Sequence, residues 1–157
     1  MSKKQDPITV SNVIILESLF GNDRPFVTYL RLQKYLYILS REYQKKHGEN
    51  LFEEQFEYSS RIGKYLESVE KKFSLQRQEF NRLYSTSHET VEDLPKEVGE
   101  LVEWLLEEYK DVGDIELVNI TKAMIREEYG IEEEEGLVAE FKRLFNSMRE
   151  YFNYFGR

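Results

Sequence analysis

The stretch TYLRLQKYLYILSREYQKKHG, residues 28–48, decides how the chain is read. Leu32, Leu36, Leu39 and Tyr43 recur at spacings of 4, 3 and 4, which place them on one face of an α-helix. Pro25 and Thr28 supply opening chemistry and Gly48 a left-handed close, so the spacing predicts a helix running to about His47. Tyr29, Tyr35, Tyr37 and Tyr43 lie along it in two directions around its axis. Tyr43 belongs to the apolar stripe, whereas Tyr37 points well away from Leu36.

Working outward, the same period recurs. Ser11 to Phe20 predicts a helix with Ile14, Ile15, Leu16, Leu19 and Phe20 on one broad face, stopped by Gly21-Asn22-Asp23. Residues 49–63 break the period. Phe52, Phe56 and Tyr58 alternate with polar residues, predicting a small β element near residues 52–58. Helical spacing resumes with Ile62, Tyr65, Leu66, Val69 and Phe73. Leu75 to Thr90 has no regular period. Leu94-Pro95 opens a helix with Val98, Leu101, Val102, Leu105 and Leu106 inward and Trp104 at the edge. Asp114 then caps a helix with Leu117, Ile120, Thr121 and Met124 on its inner face, ended by Gly130. Glu132 to Glu135 start a last helix, about 132–155, where carboxylates suit the helix dipole. The expectation is a mainly α, single compact domain over 1–157, with about six helices and the small β element.

Charge is unevenly spread along the 157 residues, whose net value is −8. Residues 1–50 carry +3, residues 51–90 carry −1 and residues 91–157 carry −10. The acidic second half repels a phosphate backbone and complements a basic protein. No cysteine is present, which excludes a disulfide scaffold, thiol catalysis and Cys-ligated zinc. No run approaches the roughly 20 apolar residues of a membrane span, and the start lacks a signal-peptide core. A cytoplasmic protein without a membrane partner is expected.

No catalytic constellation emerges, so no enzyme, cofactor-binding residue or metal ligand is expected. His47 and His88 lack metal-ligand spacing and read as surface residues. Glu132 to Glu135 lack the alternating oxygens and central glycine of a calcium loop. Asn119-Ile120-Thr121 matches a glycosylation acceptor but falls within a helix. Eleven Tyr, ten Phe and one Trp remain. They read either as core residues with hydroxyls at the rim or as a protein-binding face, which a homodimer would use equally well.

Leu30-Arg31-Leu32-Gln33-Lys34-Tyr35-Leu36-Tyr37 resembles the Leu-Gln-Lys and Leu-Tyr signature of Panacea-domain proteins, a phage-associated and antitoxin-like group. Leu51 to Glu57 is similar to that family's extended segment. Arg61-Ile62-Gly63-Lys64-Tyr65 falls where the family has a Tyr-Gly-Pro turn, with Ile62 and Lys64 as departures. Glu116 to Lys122 resembles its Leu-x-x-x-Thr-His helix, with Lys122 at the histidine position. The resemblance covers about residues 10–125.

It implies an antitoxin, adaptor or escort that binds a protein by direct contact, the partner being a basic toxin encoded nearby. Carried onto this chain, Leu32 and Leu36 are core, and Gln33, Lys34 and Tyr37 orient the following turn or line the partner face. Gly63 allows close backbone approach, and Arg61 and Tyr65 complete the partner-binding set. Gln33 and Lys34 read equally as solvated helix residues, and Gly63 as a helix entry. The alternative is a winged-helix-like nucleic-acid-binding regulator using Arg31, Lys34, Arg41, Lys45 and Lys46, against which the acidic half weighs.

Overall fold

A computed structural model describes residues 4–20, 26–59, 63–73, 83 and 88–129. Five α-helices run in chain order: α1 Pro7–Phe20, α2 Tyr29–His47, α3 Glu67–Lys72, α4 Lys96–Glu108 and α5 Asp114–Tyr129. Strands β1, Glu57–Ser59, and β2, Gly63–Tyr65, pair antiparallel between α2 and α3, and a single 3-10 turn, Val91–Asp93, precedes α4. The chain is thus mainly helical with one small sheet. The sixth helix expected at 132–155 lies outside the described residues. Among those residues, no helix is long and apolar enough to cross a membrane.

The centre of the fold is α2, which packs against α1, α4, α5 and β2. Thr28 caps its start, the hydroxyl accepting from the Arg31 N–H at 3.1 Å. Gly48 closes it at φ 69°, its N–H donating to the Gln44 carbonyl. Leu32, Leu36, Leu39 and Tyr43 are buried as their spacing predicts, but so is every residue from Tyr29 to Leu39. A helix covered on all sides carries no solvated stripe. Its four tyrosines are therefore core, and the tyrosine-rich binding face proposed for α2 is not on the surface.

The first helix begins earlier than its apolar run. Asp6 accepts from the Ile8 N–H at 3.1 Å and the Thr9 hydroxyl at 3.2 Å, and Pro7 occupies the first turn. Its buried residues are Val10 to Ile15 and Ser18, while Phe20 is 81% exposed. The predicted face of Ile14, Ile15, Leu16, Leu19 and Phe20 is thus displaced toward the helix start. In α4 the expected inward residues Val98, Leu101, Val102, Leu105 and Leu106 are all buried.

The β element also differs from expectation. Phe52 only bridges Gln5, whereas the paired strands sit later, with Glu57 opposite Tyr65, Tyr58 opposite Lys64 and Ser59 opposite Gly63. Tyr65, placed by its spacing in a helical run beginning at Ile62, lies in β2 with Gly63, and α3 starts at Glu67. The physical reason is backbone pairing, together with the φ of 77° that Gly63 adopts.

Candidate functional site

The hairpin and the start of α3 are held against α2 by the segment that carries the family-like signature. Gln33 is fully buried, and its side-chain amide works like an extra peptide unit. Oε1 accepts the Leu66 N–H at 2.9 Å, and Nε2 donates to the Leu66 carbonyl at 3.2 Å and to the Tyr29 hydroxyl at 3.2 Å. Leu66 is itself fully buried. Without this amide the Leu66 N–H would lie unsatisfied in the core, while the carbonyl would keep the Glu70 N–H at 3.1 Å.

Lys34 is 2% exposed, and its Nζ lies directly beneath Gly63. A Cβ at Gly63 would collide with that nitrogen, so the position demands glycine twice, for space and for its positive φ. Tyr37 is 5% exposed and meets Phe56 edge-on, the ring centroids 5.6 Å apart at 89°. Gln33, Lys34 and Tyr37 are therefore buried on the side of α2 toward the hairpin and the segment before it, and Tyr37 also lines a groove there. Gly63 and Tyr65 are half-buried on β2, and Tyr58 of β1 is exposed. Arg61 lies outside the described residues. Desolvation, then the carboxylates of Glu70, Glu57 and Glu67, hold the Tyr65 phenol above its ordinary pKa.

A second support reaches the same place from the preceding loop. Glu54 accepts from the Ser68 N–H at 3.0 Å and from the Ser68 hydroxyl, supplying the start of α3 with the cap that Leu66 cannot give. Nothing in the local sequence signals this pairing, because the cap is 14 residues away.

The other buried cation was also misplaced by its sequence context. All three guanidinium nitrogens of Arg31 are engaged: Nε donates to the Tyr35 hydroxyl at 2.7 Å, Nη1 to Asp114 at 3.0 Å and Nη2 to the Tyr109 carbonyl at 2.6 Å. Thr28 donates to the second Asp114 oxygen at 2.9 Å. Asp114 thus begins α5 with its carboxylate committed to α2. Arg31 and Lys34, two of the five basic residues assigned to a nucleic-acid face, are inside the protein and cannot reach a phosphate. The tyrosine four residues after Arg31 was the available local signal.

On α5, Thr121 is buried, its hydroxyl shared between the Leu117 and Val118 carbonyls at 3.0 Å each. Lys122, at the histidine position of the resemblance, is half-buried, and desolvation lowers its pKa to about 8. Among the described residues, no group of three or more His, Asp or Glu could hold a metal ion. His47 and His88 are exposed. No family model, curated protein or solved structure matches the chain.

Proposed function

We propose that the chain is a cytoplasmic protein-binding module of antitoxin type, which neutralises or escorts a partner by direct contact and performs no catalysis. One observation carries the reading. Within the Leu-Gln-Lys of residues 32–34, Gln33 grips the Leu66 backbone and Lys34 packs close to Gly63, so the signature supports the hairpin as a platform. Gly63 and Tyr65 form the contact side, joined by the exposed Tyr58 of the paired strand, and Arg61 belongs to the same set by the resemblance alone. Gln33, Lys34 and Tyr37 act behind them as positioning residues. The −10 carried by residues 91–157 suits a basic toxin as partner. The nucleic-acid reading is weakened by the burial of Arg31 and Lys34.

Co-expression with the product of each neighbouring gene tests this. The expected outcome is rescue of growth from one toxic neighbour and co-purification with it, both lost in Tyr58→Ala with thermal stability kept. No toxic neighbour and no rescue would remove the antitoxin reading. Tight binding to duplex DNA that weakens steeply with salt would replace it with the nucleic-acid one.

A further inference from the structure

Beside the hairpin, the C-terminal half of α2 and the segment after it enclose a groove of about 530 Å3, within the size range of small-ligand sites. Tyr37, Phe52 and Phe56 give it an aromatic wall, and Arg41, Lys45 and Lys64 add positive charge. Its acids are Glu53, Glu54 and Glu127, of which Glu54 is already held by Ser68. The carbonyls ending α2 and these acids oppose an anion here, and the three cations oppose them in turn.

Arg41 is the unusual group. Its side chain is 12% exposed, and Nη2 sits 2.9 Å from Oε2 of Glu127. Nη1 is buried and has no hydrogen-bond partner among the described residues. A guanidinium fork matches the two oxygens of a carboxylate, yet Glu127 leaves this one half-used. Glu127 is 72% exposed, so water competes with it for the pair.

We infer that this groove is a carboxylate-binding site in which Glu127 is an exchangeable internal occupant. An incoming carboxylate displaces Glu127, engages Arg41 through both Nη nitrogens and lays its apolar body along Phe56 and Tyr37. The site stands independently of the antitoxin reading. Its ligand is a carboxylate, supplied either by a free aromatic acid or by the C-terminus of a peptide.

The test is a titration of the full chain followed by amide chemical shifts. The probes are benzoate, neutral benzamide, and N-acetyl-Gly-Phe as the free acid and as the amide. Benzoate is expected to shift the amides of Arg41, Gln44 and Phe56 saturably, with benzamide inert. Glu127→Ala should tighten benzoate by about two- to fivefold, the range returned by freeing an exposed ion pair. Arg41→Gln should abolish binding. Tighter binding of the free-acid dipeptide than of benzoate, with its amide inert, assigns a peptide terminus, and the reverse order assigns a free acid. No saturable benzoate shift in the unmodified chain, equal shifts from benzamide, or unchanged affinity in Glu127→Ala overturns the inference. Glu127 is a surface residue, so that variant decides the matter even if Arg41→Gln unfolds.

Discussion

The two halves of α2 each carry an arginine, and the surroundings of the two are opposite. Arg31 is 1% exposed, with every guanidinium nitrogen engaged, Nε to Tyr35 on its own helix and the two Nη atoms across to Asp114 of α5 and the Tyr109 carbonyl before it. Arg41 sits where the helix emerges, holds one exposed carboxylate and, among the described residues, keeps a nitrogen unpaired. The same side chain is thus a structural tie at one end of the helix and spare binding capacity at the other. The difference lies in what packs over it. Where neighbours enclose the helix, each polar group must be matched or the fold is penalised, while a mismatch near the surface can be retained for a ligand.

The sharpest way to break this contrast is Arg31→Ala. It leaves the Asp114 carboxylate, 20% exposed, without its ion-pair partner and the Tyr109 carbonyl without its donor, which together cost about 3 kcal/mol. Chemical denaturation should show that loss, and a midpoint close to the parent's would refute the tie. Gln33→Leu comes next. The buried Leu66 N–H loses its partner, for about 1–3 kcal/mol moderated by any water that enters, while its carbonyl keeps the Glu70 N–H. Amide exchange should then accelerate at Leu66 ahead of the α4 core, and uniform protection would argue against a local grip.

Gly63→Ala should cost about 1–2 kcal/mol from its left-handed backbone, plus the clash with Lys34. Pairing it with Lys34→Ala removes the clash only. A coupling energy of zero in that double-mutant cycle would mean the two residues do not meet. Arg41→Met, by contrast, should alter stability by no more than about 1 kcal/mol, because its partner is exposed. A loss as large as that of Arg31→Ala would erase the distinction between the two halves.

The smallest expected effect is a pH dependence at Lys122, which solvent still reaches. Its folded pKa, about 8, lies below the ordinary 10.5. Below pH 8 the amine is protonated in both states, and the folded chain bears the full cost of the charge. Between about pH 8 and 10.5 the unfolded state holds the extra proton, so this group makes stability rise with pH. Tyr109 acts in the opposite direction, since burial and then Glu108 and Glu42 raise its phenol, and its contribution is lost once pH passes its unfolded value near 10. Thermal scans of Lys122→Met against the parent over pH 7–9.5 isolate the lysine. An identical pH profile would count against its desolvation.

Much of the local structure was readable from the residues. Thr28 and Gly48 bracket α2, and the 4-3-4 spacing finds part of its core. The inward residues of α4 follow the helical period, because that helix exposes one side. The small β element was legible, but its second strand was not, because Tyr65 fits a helical spacing until β1 is seen to pair with it. The positioning set was harder still. Gln33 and Lys34 carry the polarity of solvated residues, and only a neighbouring backbone with unmet hydrogen bonds gives the Gln33 amide its place inside.

The sequence by itself determined the helical periods, the caps of α2 and an acidic second half. Those properties depend on residue types at short separations. Only the tertiary structure decided that α2 is enclosed on every side, that Arg31 and Lys34 are interior, and that Arg41 faces a groove. Periodicity reports which residues are apolar, but it does not report how many elements pack on a helix, and that number decides whether a polar side chain is solvated, matched or left available.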